Sequence, residues 1–190
     1  MLGWRVQQQE GRRQVLSFIV RYGAIAGLVV GVPLFLTFAC AGGHPPGALG
    51  MLVGYLTMLI AFAAVFAGVK RYRDEALGGA IAFWPALALG LGISLVASLC
   101  YVIAWEAALA MTDTDFIAAY TETLVREKQA AGAGAAAIAE LRAEMAAFGE
   151  QYRNPLYRMP ITFTEIFPVG LLVSLVTAGL LRNRRFLPAR

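Results

Sequence analysis

The chain has 190 residues, of which 59% are hydrophobic and only 15% are charged, and its net charge is +4. Because soluble domains carry about 25% charged residues, this composition argues against a soluble protein and favours a single membrane domain, 1–190. The basic residues flank apolar segments, so membrane topology explains them and we expect no nucleic acid partner.

The first predicted span covers residues 17–41. Its uncharged part, Gly23 to Cys40, has eighteen residues, or about 27 Å of helix against a hydrocarbon layer about 30 Å thick. A signal peptide has a shorter apolar region followed by a small-residue cleavage site, so this segment is better interpreted as a transmembrane helix. The Gly- and Pro-rich residues 41–47 then predict a tight connection to the second span.

The second predicted span, 48–69, leads into a short charged segment, KRYRDEALGG at 70–79. Its three basic residues place it in the cytoplasm by the positive-inside rule, and both termini then lie on the same side. That side holds eleven of the sixteen Lys and Arg residues and three of the twelve acidic residues. Within the segment we expect Arg71 or Arg73 to pair with Asp74 or Glu75, or with anionic lipid headgroups, as exposed pairs of low energy.

The third and fourth predicted spans cover 80–106 and 161–181. The polar stretch between them contains two sets of apolar residues at helical spacing, separated by Gly132 and Gly134. The sets are Phe116, Ile117, Tyr120 and Leu124 in the first stretch, and Ile138, Leu141, Met145 and Phe148 in the second. Of these, we expect Phe116, Tyr120 and Leu124 to pack against Ile138, Leu141 and Met145. We therefore predict an all-α polytopic membrane protein with four transmembrane helices. An extracytoplasmic helical hairpin of about 113–153, capped by Asp113 or Thr114, lies between helices three and four.

Small residues recur at every fourth position in all four spans, including Gly50 and Gly54 in the second and Gly170, Ser174 and Ala178 in the fourth, and the stripes of the other two spans are our candidate packing surfaces. They are Gly23, Gly27 and Gly31 in the first span, and Gly90, Ser94 and Ser98 in the third. This spacing puts them on one face of a helix, where another helix can approach closely. We interpret both stripes as packing surfaces, either within the bundle or, for the first span, against another protein chain.

Glu165 lies inside the apolar fourth span, three residues before Pro168. An ionisable residue at membrane depth suggests a functional site, and the proline leaves the carbonyl of Thr164 without its helical donor. We predict that Glu165 turns inward and forms a polar site with three neighbours, Arg158, Tyr101 and Thr162. The alternative is a carboxylate at the level of the lipid headgroups, which is how we interpret Glu106.

The sequence contains no recognisable catalytic set. There is no HExxH motif, no glycine-rich phosphate loop with a lysine, and only one histidine, His44. We therefore expect no enzymatic activity, no cofactor and no metal site. The two cysteines, Cys40 and Cys100, are best interpreted as small helix residues, with a disulfide between them as the less favoured alternative.

Several short motifs resemble the signature of the bacterial domain-of-unknown-function 4199 family. They are VKRYRDEALGGAIAFWPALALG at 69–90, Asp115-Phe116-Ile117 with Tyr120, Asn154-Pro155-Leu156, and Glu165 with Pro168-Val169-Gly170. The resemblance covers about residues 15–185. It implies a small bacterial inner-membrane protein with four spans and an outer helical insert, and it implies no activity.

These observations lead to a non-enzymatic, multi-pass protein of the bacterial inner (cytoplasmic) membrane with both termini in the cytoplasm. We expect an accessory or scaffold subunit of an envelope assembly, whose partners are the lipid bilayer and other membrane protein chains or copies of itself. The alternative is a small-solute transporter or channel that acts as an oligomer.

The topology is tested by reporter fusions at Arg190 and at the turn 132–134. Because an odd number of predicted spans separates these positions, we expect the two reporters to lie on opposite sides of the membrane. A finding of both reporters on one side would contradict the four-span arrangement.

Overall fold

The computed structural model describes residues 2–40, 48–112 and 115–188, and the regular elements in these ranges are all α-helices. The helices are α1 Leu2–Cys40, α2 Ala48–Ala76, α3 Phe83–Ala110, α4 Phe116–Ala130, α5 Ala135–Tyr152 and α6 Pro155–Leu181. Four contain stretches long and apolar enough to cross a membrane, namely Gln9–Cys40, Gly50–Ala76, Phe83–Ala110 and Pro155–Leu181. The predicted all-α class with four candidate spans is therefore confirmed.

The central helix is α3, which packs along much of its length against α1 and α6. The glycine stripe of α1 makes the first of these contacts. A β-carbon built on Gly23 would lie 2.5 Å from Cβ of Val96, and one on Gly27 would overlap the side chain of Cys100. Gly31 meets Ala104 in the same way. The stripe is therefore covered by α3, which leaves no room there for the second protein chain considered above.

The other stripe belongs to the contact between α3 and α6. Gly90 and Ser94 lie against Ser174 and Gly170 of α6. The Ser94 hydroxyl donates to the Gly170 carbonyl at 3.2 Å and lies 3.1 Å from the Ser174 hydroxyl. Ser98 is also buried and donates to the Ser94 carbonyl of its own helix at 2.8 Å. Small residues thus allow both α1 and α6 to pack closely against α3.

The helix α2 runs further than the predicted span 48–69 and includes most of the charged segment. Two ion pairs at i,i+4 spacing, Lys70–Asp74 and Arg71–Glu75, stabilise this extension. The helix ends before Gly78, whose φ of 64° lies in a region that favours glycine. The expected pairing of Arg71 with Glu75 is confirmed, although the residues lie on a helix and not in a loop.

Helix α6 begins six residues before the predicted start of the fourth span. Asn154 caps it by accepting a hydrogen bond from the backbone N–H of Leu156 at 3.0 Å. Pro155 occupies the first turn, where its missing N–H has no helical partner to lose. Pro160 therefore lies inside the helix rather than ahead of it.

Helices α4 and α5 pack against each other, with a register that differs from the prediction by one residue on α4. Ile117 and Val125 are buried, whereas Phe116, Tyr120 and Leu124 are half-buried; on α5 the predicted Leu141 is buried. Ile117 fits against Gly149 of α5.

The helix α4 is capped by Asp115, which accepts from the N–H of Ala118 at 3.1 Å. The predicted caps, Asp113 and Thr114, lie outside the described residues. Between the two helices, Gly132 has a φ of 82°, which a turn glycine adopts readily.

Among its described side chains, α2 packs against the bundle from Met58 onward, and we call the exposed residues 51–56 its free half. Met58 and Phe62 are buried, and the Phe62 ring lies against Gly170 of α6. The preceding residues 51–56 are all exposed, on every side of the helix. A helix that packed along one face would bury a stripe of residues, and residues 51–56 bury none. This part of α2 is therefore separated from α6, which α2 contacts further along at Phe62 and Gly170.

The contact of α1 with α3 gives a matched pair of glycine substitutions. Gly27→Ala forces a β-carbon into Cys100 and should lower the free energy of unfolding by about 1–3 kcal/mol. Gly54 has nothing within 4 Å of the equivalent position, so Gly54→Ala should leave stability unchanged or raise it by up to about 1 kcal/mol. Thermal unfolding in lipid nanodiscs measures both, and equal effects would contradict the close packing.

Candidate functional site

Four polar and aromatic side chains meet where α3 ends, α5 ends and α6 begins. They are Trp105 and Glu106 of α3, Tyr152 of α5 and Arg158 of α6, and we call this group the polar junction. Asn154 caps α6 only two residues after α5 ends, so the connection between these helices is short. Tyr152 and Arg158, on either side of this connection, both contact the last turns of α3.

Glu106 and Arg158 form the centre of the polar junction. Nε of Arg158 donates to Oε1 of Glu106 at 2.7 Å, and a second guanidinium nitrogen bonds the other carboxylate oxygen. The two side chains are only 18% and 16% exposed. Such a two-point, largely desolvated pair has a fixed geometry and is stronger than an exposed ion pair. The cation expected to approach Glu165 is therefore bound to Glu106 instead.

Tyr152 connects this ion pair to the aromatic residues around it. The indole N–H of Trp105 donates to the Tyr152 hydroxyl at 2.9 Å, and Arg158 donates to the Tyr152 carbonyl at 3.4 Å. The Arg158 guanidinium also lies 5.8 Å from the centre of the tyrosine ring. Burial raises the pKa of the Tyr152 phenol, while the hydrogen bond from Trp105 acts in the opposite direction. The phenol oxygen is thus the acceptor for the Trp105 N–H in this contact.

An aromatic cluster surrounds the polar junction and fastens α4 and α5 to the bundle. Trp105 packs against Phe38 of α1 and Phe116 of α4, with ring centres 5.0 and 4.9 Å apart. Tyr152 in turn lies 5.4 Å from Phe148. The turning of Phe116 toward α3 explains why Ile117, one residue later, faces α5.

The four residues of the predicted polar site have different positions. Tyr101 and Thr162 are buried, and Thr162 donates to the Arg158 carbonyl at 3.2 Å. Glu165 is exposed, and none of the described residues forms a hydrogen bond or ion pair with its side chain. The carboxylate nevertheless lies near enough to Tyr152 to act on its phenol electrostatically.

The expected inward orientation of Glu165 is therefore corrected. The buried face of α6 follows Thr162, Ile166, Gly170 and Ser174 at spacings of four. Glu165 precedes Ile166 by one residue, which rotates it about 100° from that face. Within the described ranges, no three His, Cys, Asp or Glu side chains come together as a metal site requires.

At the opposite end of the bundle, a buried arginine was missed by the sequence analysis. Arg73 is fully buried; its Nε donates to Asp74 at 2.7 Å, as expected, but its other nitrogens donate to the carbonyls of Phe186, at 3.0 Å, and Leu187. Phe186 also packs its ring against Phe66 of α2. The segment after α6 is thereby bound to the end of α2. The only signal in the sequence is an apolar pair, Phe186-Leu187, that follows a run of arginines.

Arg73 and Arg71 allow a matched test of this contact. Arg73→Gln removes a buried cation from Asp74 and two backbone carbonyls, so the free energy of unfolding should fall by about 3–5 kcal/mol. Arg71 is 53% exposed, and Arg71→Gln should have little effect because exposed pairs contribute little. Thermal unfolding in nanodiscs compares the two variants. Equal stabilities would contradict a stabilising contact of Arg73 with the carbonyls of Phe186 and Leu187.

Comparison with known proteins gives a family but no better-characterised relative. A family model described as a protein of unknown function (DUF4199) matches residues 21–183, which include α2 to α6 and about half of α1. No curated protein and no solved structure matches the chain. Four helices long and apolar enough to cross a membrane make this a membrane protein. The chain belongs to the DUF4199 family.

Proposed function

We propose that this protein is a non-enzymatic accessory or scaffold subunit of an assembly in the bacterial inner membrane. In this proposal α4 and α5 lie outside the cytoplasm and both termini lie inside it. The basic residues support this orientation, because those of α1, α2 and the segment after α6 cluster at the end of the bundle opposite α4 and α5.

The observation that carries the proposal is the unpacked first half of α2. Met51, Leu52, Val53, Tyr55 and Leu56 are each 49–56% exposed. Such a helix offers another transmembrane helix several faces at once, and a helix–helix contact in a membrane needs this access. Lipid also covers apolar helices, but a helix half that its own chain leaves free is the surface by which a subunit can join an assembly.

The interior of the bundle favours this role over a conduit. A transporter needs a polar pathway at membrane depth. Here the buried hydroxyls of Ser94, Ser98 and Ser174 all bond helix carbonyls, that of Ser94 across to α6 and those of Ser98 and Ser174 within their own helices. In the alternative, an oligomeric small-solute transporter, the pathway would have to lie between copies and would use the exposed Glu165.

Photo-crosslinking in the native membrane tests the proposal. A photoreactive amino acid in place of Tyr55 should give one discrete crosslinked protein, which is then confirmed by the reciprocal crosslink from that protein. Ile103 of α3, which is 67% exposed, is the matched control and should crosslink mainly lipid. The proposal fails if Tyr55 gives no protein product, or the same products as Ile103. Crosslinks to a second copy alone would favour the oligomeric alternative.

A further inference from the structure

We propose that Glu165 is the docking point for a transmembrane helix of a partner protein that carries a Lys or Arg at membrane depth. This inference rests on the proposed function, since it names the chemistry of the partner. The partner helix would enter the space between α6 and the free half of α2, and its cation would pair with the Glu165 carboxylate.

The shape of this space follows from the contacts of α2 and α6. The two helices touch where Phe62 lies against Gly170. Toward α4 and α5 the two helices separate, as the exposure of residues 51–56 of α2 on every side indicates. Glu165 lies on α6 five residues before Gly170, about 8 Å along the helix, and so on the side of the contact where the helices separate.

The depth of Glu165 makes an unpaired carboxylate expensive. It lies seven residues beyond Arg158, or about 10 Å, and sixteen residues before Leu181, or about 24 Å. An apolar layer about 30 Å thick that begins near the polar junction therefore includes it. Ionisable residues at such depth are rare and generally pair with another group. Arg158 cannot serve, because Glu106 already binds it.

A second acceptor that has lost its usual helical donor belongs to Thr164, the residue before Glu165. Pro168 has no N–H, so the carbonyl of Thr164 lacks its helical hydrogen bond. Two neighbouring acceptors match an ammonium or guanidinium group, which carries several donors and no acceptor. The adjacent Ile161 and Leu172 are exposed and apolar, and both lie on the Glu165 side of α6. They provide the surface along which a helix can pack.

A second copy of this chain is a poorer occupant than another protein. Copies inserted in the same direction keep their residues at the same level in the bilayer. The described basic residues of the candidate spans, apart from Arg158, lie toward the opposite end, from Arg21 on α1 and from Lys70 on α2. A lipid headgroup also fits less well, because it lies near the level of Arg158, about 10 Å away along the helix.

The experiment uses designed single-span helices, co-expressed with the full-length protein and co-purified in lipid nanodiscs. One helix is polyleucine with a single Lys at the level of Glu165, a second has Leu at that position, and a third has the Lys near its cytoplasmic end. We expect the first to be recovered about tenfold above the others, as for an interhelical polar contact in a membrane.

Protein variants then assign the effect to the carboxylate. Glu165→Gln should reduce recovery of the Lys helix to the level of the Leu helix, while Glu165→Asp, which keeps the charge, should retain a preference. Glu144→Gln removes an exposed carboxylate of α5 and should change nothing. Thermal unfolding of each variant shows that it is folded.

Four results would overturn the inference. The first three are equal recovery of the Lys and Leu helices by the wild type, a Lys preference that survives Glu165→Gln, and a disulfide between two copies through cysteines introduced at Leu52. A lipid lost from the purified protein on Glu165→Gln, without any Lys preference, would assign the site to lipid and also overturn it. A protein crosslink at Tyr55 without Lys preference would leave the proposed function standing and remove only this inference.

Discussion

The close approach of α1 and α6 to α3 is the constraint on which the rest of the structure depends. Membrane helices gain little from the hydrophobic effect on association, so their contact relies on dispersion and short hydrogen bonds. The stripe of Gly23, Gly27 and Gly31 allows the first approach, and the serine–glycine contact with α6 allows the second. Once these stripes are used within the chain, any partner must bind elsewhere.

The crossing of α6 over α3 determines which charges are free. Near the middle of α3, Ser94 meets Gly170, and at its end Glu106 meets Arg158. These two positions on α3 are twelve residues apart, which corresponds to a rotation of about 120° around that helix. Helix α6 therefore crosses α3 at an angle and does not follow a single stripe along it. The same crossing pairs Arg158 with Glu106 and leaves Glu165 without an ion-pair partner among the described residues.

The two ends of the bundle are closed by different chemistry. At one end, aromatic rings and a two-point ion pair hold α4 and α5 against α1, α3 and α6. At the other, a buried guanidinium binds backbone carbonyls of the segment after α6. Buried charges of this kind add little net stability but lose much when one partner is removed, so they specify one arrangement. Residues 51–56 of α2 take part in neither closure and remain exposed, and they are the surface on which the proposed function rests.

The sequence by itself determined the number and type of the candidate spans, because uncharged runs of this length need only be counted. It also predicted ion pairs between the arginines and the acids of the segment 70–79, but it left open which arginine pairs with which acid. Only the tertiary structure decided that Arg73 is buried while Arg71 is exposed, and that Arg158 pairs with Glu106 rather than Glu165. These outcomes depend on how the helices cross and how each is rotated about its axis. The contacts concerned join residues that are 52 to 114 positions apart in the chain. No local pattern in the sequence encodes such contacts.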